Sequence, residues 1–170
     1  MAQRTMSSGD LFRVCVREIL RPALGELGFR GGPRVFVKEC DEVWVAVALN
    51  TRNAEDTVMF TADLAVSSKR ILARRHQEPR KAPARSNWHR EHRLGSLIGP
   101  GYDRWWMIVA DEGLEAARAV MTECTSVLLS EGLPAIDRYA SDEKLREAWR
   151  QEMRWLSPRE RSWLQDLEAD

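Results

Sequence analysis

The hydrophobic and polar positions of the chain alternate with two different periods, and the order of those periods predicts an α+β fold. Residues 7–27 repeat apolar side chains at helical spacing. Residues 43–51 and 57–66 alternate strictly, as strands do when they bury one face. Helical spacing returns after residue 111. Because helical and extended segments are grouped, the pattern predicts an antiparallel sheet of about four to five strands, with an N-terminal helix and C-terminal helices packed on it.

The first helix is expected to begin at Ser7 or Ser8, since either hydroxyl can cap the free N–H groups of its first turn. Pro22 lacks the backbone donor that a helix interior uses, so a kink or a break is expected after Leu20. Gly28 fits the left-handed position that ends many helices.

Three strands are predicted next, over residues 34–40, 43–51 and 57–66, joined by hairpin turns. One face of the second and third strands is apolar and is expected to form the core. Its members are Val43, Val45, Val47, Leu49, Val58, Phe60, Ala62, Leu64 and Val66. The other face is small and mixed, which predicts that it is partly covered or lines a shallow concavity. Its members are Trp44, Ala46, Ala48, Asn50, Met59, Thr61, Asp63 and Ala65. Asp63 interrupts this face, and we expect it to pair with an arginine such as Arg93.

Two further strands are predicted over residues 88–97 and 104–110. A helix follows over residues 112–130, capped by Asp111 and ended by Gly132.

The end of the chain predicts two short helices after a connector at residues 134–139. Ser141 can cap the first, and Ser157 begins a capping box for the second. We therefore predict an α+β domain over residues 7–140 and a helical extension over residues 141–170.

Composition places the chain among soluble globular proteins. It has 170 residues, 44% of them hydrophobic and 31% charged. The longest apolar run, Val43–Leu49, is too short to cross a bilayer, and the first residues have no apolar signal segment. The three cysteines are widely spaced and odd in number, which argues against a disulfide framework. The sequence therefore predicts a cytoplasmic protein that does not enter a membrane.

The charge is balanced overall, with 26 residues of each sign, but it is unevenly distributed. Lys69–Arg93 holds nine basic and two acidic residues as well as all three histidines, leaving 17 basic and 24 acidic residues elsewhere. We name this stretch the basic segment. It is expected to start as a short helix capped by Ser67 or Ser68, and to continue as an exposed loop over residues 78–86. Such a patch can steer an acidic partner.

Aromatic side chains accompany these arginines, and together they form the candidate binding surface: Arg74, Arg75, Arg80, Arg85, Trp88, Arg90, Trp105 and Trp106. Trp and Arg at one surface suit a protein interface, so the leading hypothesis is a non-enzymatic protein that binds an acidic partner. Single-stranded nucleic acid is the first alternative, because bases stack on aromatic rings beside cations. The simplest alternative is a solvated loop beside a tryptophan pair with one member in the core. Trp149 is expected to pack onto the second face of the sheet, or else to dock another chain.

Catalytic chemistry has little support in the sequence. His89 and His92, with His76, have no carboxylate or thiol set to complete a metal site, and solvated surface histidines are the expectation. The chain has no nucleophile elbow, dinucleotide fingerprint or phosphate-binding loop. No catalytic residue, metal or cofactor is predicted, and an enzyme with an unrecognised pocket remains the second alternative.

Several short motifs occur in an order and spacing that resemble the DUF4304 family. They are the helix bearing Pro22, the run Leu27–Arg30, the strand residues Val35–Val37, the run Arg93–Leu97 and the pair Trp105–Trp106. The resemblance covers about residues 10–140. It implies a bacterial domain of the same fold class, and it supplies no catalytic residues because the family has no assigned activity.

Overall fold

A computed structural model describes residues 6–99 and 101–169 of the chain, which form an antiparallel sheet of six strands with helices on one face. The α+β class is confirmed, with one strand more than expected. The strands are β1 (Arg30–Gly31), β2 (Val35–Glu39), β3 (Val43–Ala54), β4 (Thr57–Ser68), β5 (Arg90–Arg93) and β6 (Trp106–Val109). The α-helices are α1 (Ser8–Cys15), α2 (Arg21–Glu26), α3 (Lys69–Arg74), α4 (Leu94–Leu97), α5 (Gly113–Val127), α6 (Leu133–Asp137), α7 (Asp142–Gln151) and α8 (Pro158–Glu168).

The first helix begins as predicted, because the Ser7 hydroxyl accepts a hydrogen bond from the Asp10 backbone N–H at 3.2 Å. It runs without a break through the π-helical segment Val16–Leu20 into α2. The backbone N–H of Arg21 donates to the carbonyl five residues earlier. This wider turn lies directly before Pro22, whose missing N–H and bulky ring disturb regular α-helical bonding. The expected kink is thus a local widening of a continuous helix.

The same arrangement precedes Pro134, where the π-helical segment Leu128–Gly132 joins α5 to α6. The Leu133 N–H donates to the carbonyl of Leu128, again five residues back. The prediction that Gly132 ends the helix is therefore wrong, and the predicted connector after it is mostly α6. Gly132 serves close packing instead, since a β-carbon there would lie 2.8 Å from the Leu94 side chain.

The long hairpin of β3 and β4 is the centre of the sheet. β3 pairs with one edge of β4 along its whole length. The other edge of β4 is shared, residues 63–66 pairing with β5 and residues 57–60 with β6. The strand predicted over residues 88–97 is only four residues long. It ends because the chain turns into α4 at Leu94, which is fully buried.

The predicted apolar face of β3 and β4, here called the first face, forms the main core together with the helices. All nine of its residues are at most 6% exposed. Phe12 of α1 packs edge-on against Phe60, with ring centroids 5.2 Å apart. Trp149 is fully buried in this same core. The prediction that it packs on the second face is wrong, because α7 and α8 join the helices on the first face.

The predicted starts of α7 and α8 are confirmed, and the predicted start of α5 is wrong. Ser141 caps α7, and Ser157 forms a capping box with Glu160 at α8. The prediction that Asp111 caps α5 is wrong. Asp111 lies in a 3-10 turn, Ala110–Glu112, and α5 begins afterwards at Gly113 with a φ of 79°.

The last two helices are part of the main core. Leu145, Trp163, Leu164 and Leu167 are at most 6% exposed and belong to the same cluster as the sheet residues. The division into a domain up to residue 140 and an extension after it stays a prediction. In the described part of the chain no helix has both the length and the apolar character needed to span a membrane.

Candidate functional site on the second face of the sheet

The second face of the sheet carries the side chains of β3 and β4 that point away from the main core. Strand pairing arranges them in rows, with Ala46 opposite Ala65, Ala48 opposite Asp63, and Met59 between Arg52 and Met107. We call the alanine end, with Val37 and Trp88, the covered half. We call the other end, formed by Arg52, Met59, Trp105 and Met107, the open half.

The covered half lies beneath residues 75–89, the segment between α3 and β5, which we call the covering loop. Trp88 is 7% exposed and packs in a small cluster with Ala46, Ala48 and Ala65. The Trp44 indole N–H donates to the Pro79 carbonyl at 2.9 Å, and the Ser67 hydroxyl donates to the Asn87 carbonyl at 3.0 Å. The loop predicted to be exposed is therefore exposed on its outer side only, and its inner side packs on the sheet.

Asp63 lies between the two halves, and its side chain is 1% exposed. Its carboxylate accepts hydrogen bonds from Asn50 and Arg85, and from Arg93 Nε at 3.2 Å. The predicted Asp63–Arg93 pair is confirmed. Arg85 Nη1 also donates to Asn50 Oδ1 at 3.0 Å. Because a buried carboxylate needs charged and polar partners, this group fixes one end of the covering loop to the sheet.

The open half is built around Trp105, which directly precedes β6. The guanidinium carbons of Arg52 and Arg93 lie 4.2 and 5.6 Å from its ring centroid. The Trp105 indole N–H donates to Asp103 Oδ2 at 3.2 Å. Desolvation acts to raise the pKa of Asp103, but hydrogen bonds from Arg93 and Trp105 outweigh it, so this pKa is lowered. The tryptophan ring is thus held in place by charged neighbours.

Two methionines extend the open half beyond Trp105. Met59 and Met107 pair directly across β4 and β6 and are 37% and 49% exposed. Since β-strand side chains alternate, both lie on the same face as Arg52. The result is a small apolar surface beside a tryptophan and two arginines.

The arginines of the basic segment bind mainly within the chain. Arg75 Nε lies 2.7 Å from an Asp166 carboxylate oxygen, and Arg74 Nη2 donates to the Ala169 carbonyl at 2.6 Å. Arg90 binds both carboxylate oxygens of Glu152, at 2.6 and 2.9 Å. Much of the excess positive charge is therefore used to attach α7 and α8.

The predicted binding residues thus separate into four groups. Arg85, Trp88 and Trp105 come together on the second face. Arg74, Arg75 and Arg90 contact the C-terminal helices, Arg80 is exposed on the covering loop, and Trp106 is 2% exposed in the main core.

Sequence reasoning missed Arg52 and Met107 as members of this surface. Met107 lies two residues after Trp105, so extending the strand alternation from Trp105 places both side chains on one face. Continuing the alternation of β3 past its predicted end adds Arg52 in the same way.

The expectation of solvated histidines is wrong for His89, which is 4% exposed. Its Nδ1 accepts a hydrogen bond from the Ser68 N–H at 2.9 Å, and its ring lies 4.7 Å from that of Trp163. Burial, with smaller effects from Arg75 and Arg159, lowers the pKa of His89 to about 3. Among the described residues no three His, Cys, Asp or Glu side chains come close enough to hold a metal ion.

The cysteines lie apart from the second face. Cys15 and Cys124 are buried, and burial raises the pKa of Cys124 to about 12. Cys40 is partly exposed at the end of β2.

Comparison with known proteins gives a single finding. Residues 20–137 match the model of a family described as a domain of unknown function, DUF4304. No curated protein and no solved structure matches the chain.

Proposed function

We propose that this chain, which belongs to the DUF4304 family, is a non-enzymatic binding protein whose open half contacts an acidic partner protein. One observation carries the proposal: the guanidinium groups of Arg52 and Arg93 lie over the Trp105 ring, beside two exposed methionines. Trp and Arg supply much of the binding energy at protein interfaces, and methionine adapts its shape to a partner. The structure keeps these side chains at the surface, although Ala46, Ala48 and Ala65 of the same face are buried.

The sign of the partner follows from the charges around Trp105. Arg93 is paired with both Asp63 and Asp103. Arg52 is exposed and has no carboxylate partner among the residues that the structure describes. An acidic side chain of a partner can therefore bind Arg52 without first breaking an internal ion pair, which favours association.

Affinity capture from the native host tests this proposal. We expect wild-type protein to capture an acidic protein whose recovery falls at least tenfold with Arg52→Glu and with Trp105→Ala. Arg80→Glu is the matched control, because it makes the same charge change at an exposed residue outside the open half. Identical capture by all four proteins would contradict the proposal.

Single-stranded nucleic acid is the competing partner. Base stacking requires a free ring face, whereas Trp88 is 7% exposed and Arg52 lies over the Trp105 ring. Arg85, Arg90 and Arg93 are also paired with carboxylates of the chain. We therefore expect no binding of a labelled thymidine oligonucleotide at low salt. Tight binding that weakens steeply with added salt and is lost with Trp105→Ala would replace the proposed protein partner by nucleic acid.

A further inference from the structure

A second surface feature lies on the first face of the sheet. It is a groove of about 460 Å³ between the end of α2, the β2–β3 hairpin and α6. This volume lies in the range of small-molecule sites. Its side chains are mostly apolar, and they include Leu27, Phe29, Val45, Leu129 and Leu133.

The groove exposes apolar side chains that a bound molecule would cover. Leu27 and Leu129, on its two sides, are 42% and 37% exposed. Lys38 and Cys40 also line it and belong to the first face, since Lys38 pairs with Val45 across β2 and β3. The groove thus has an apolar body with a lysine at one wall.

The lysine supplies the uncompensated charge of the groove. Asp137 also lines it, but its carboxylate lies 3.6 Å from Lys144 Nζ, which also donates to the Asp137 carbonyl at 2.9 Å. The Lys38 ammonium has no hydrogen-bond or ion-pair partner within residues 6–99 and 101–169. A ligand that matches both properties has an apolar body and one negative charge.

We infer that this groove binds a small amphipathic carboxylate, with its hydrocarbon body between Leu27 and Leu129 and its carboxylate at Lys38. The site lies on the opposite face from the open half, so it is independent of the proposed protein partner. The occupant is a free small molecule because the volume of the groove matches one small ligand and a single lysine lines it.

Cys40 makes the site measurable in the intact chain. It is the partly exposed cysteine, whereas Cys15 and Cys124 are at most 1% exposed. Decanoate should slow maleimide labelling of Cys40 at least fivefold, with the labelled residue identified by mass spectrometry. Across octanoate, nonanoate and decanoate, the concentration for half-protection should fall about fourfold per methylene, because each CH₂ leaves water.

Two variants separate the ligand's charge from its apolar body. Lys38→Gln should weaken protection by decanoate about fivefold and leave protection by decanol unchanged, as expected for one partly solvated ion pair. Leu129→Gln should weaken protection by both. Lys81→Gln, at an exposed lysine outside the groove, is the matched control and should change neither. Thermal unfolding of each variant checks that it is folded.

Three results would overturn the inference. The first is no protection of Cys40 by decanoate up to its solubility limit. The second is equal protection by decanoate and decanol in the wild-type protein. The third is stronger protection by a leucine-ended peptide than by decanoate, which would make the groove a peptide site.

Discussion

The two halves of the second face share strands β3 and β4, and they differ in side-chain size. Under the covering loop the sheet presents Ala46, Ala48 and Ala65, and Trp88 fills the space above them. At the other end it presents Arg52, Met59 and Met107, and the covering loop does not extend over them. Small side chains let a loop lie close to the sheet, and long ones do not. Where the sheet presents alanines, Trp88 packs on it, and where it presents Arg52 and the two methionines the surface stays exposed.

The largest difference in stability is expected when the two tryptophans, one in each half, are replaced singly by alanine. Trp88→Ala should lower the free energy of unfolding by about 3–5 kcal/mol, because it leaves a cavity beneath the loop. Trp105→Ala should cost less than about 1 kcal/mol, because its ring is partly exposed. Urea unfolding measures both. Equal losses would show that the two halves do not differ.

The next largest effect is expected at the carboxylate between the halves. Asp63→Asn removes the charge that pairs with Arg85 and Arg93, and it should cost about 2–3 kcal/mol. This is below the usual range for a broken buried pair because the side chains of both arginines are more than a third exposed. The covering loop should also become sensitive to trypsin.

Asp103→Asn is the matched control for that carboxylate. It removes an exposed partner of Arg93, and the expected loss is below about 1 kcal/mol. An equal loss of stability in the two variants would mean that burial does not make the ion pairs of Asp63 more stabilising than those of Asp103.

A smaller effect on stability is expected from the protonation of His89. The pKa of His89 is about 3 in the folded chain and 6.5 when exposed, so the unfolded state binds the proton more readily. Its contribution to stability is complete above pH 6.5 and falls toward pH 3, by about 1.4 kcal/mol per pH unit. His92, whose pKa is also lowered by burial, acts in the same direction.

Unfolding measured at pH 7, 6 and 5 checks this pH dependence. His89→Asn should be less stable at pH 7 and should show a flatter dependence. His76→Gln, at an exposed histidine, should keep the wild-type slope. An unchanged slope in His89→Asn would assign the dependence to other groups.

The smallest stability effect is expected on the open half. Met107→Gln should change the free energy of unfolding by less than about 0.5 kcal/mol, since its side chain is about half exposed. It should still reduce recovery of the proposed partner. Met153→Gln, 45% exposed and outside the open half, should leave recovery unchanged. A large loss of stability with Met107→Gln would show that this face is internal packing.

Local sequence signals predicted much of the fold. Alternation assigned both faces of β3 and β4, and Ser7, Ser141 and Ser157 were placed correctly at helix starts because a cap depends on residues three positions away. Gly28 has a φ of 87° and ends α2, as predicted.

The errors arose where distant parts of the chain decide the structure. Gly132 continues a helix because it packs against Leu94, a contact that sequence spacing does not reveal. His89 is buried because Ser68 and Trp163 surround it. The uneven charge distribution identified the basic segment, but it could not predict that Glu152 and Asp166 pair with it. The candidate site was therefore predicted only in part.

Because α7 and α8 contribute to the core, the family match and the hydrophobic core end at different residues. Family recognition stops at residue 137, whereas core side chains continue to Leu167. A fragment that ends at residue 137 would expose the core side chains that Trp149 and Trp163 now cover. It would also leave Arg75 and Arg90 without their carboxylate partners. We therefore expect a fragment that ends at residue 137 to be less stable than the whole chain, because it lacks the core side chains of α7 and α8.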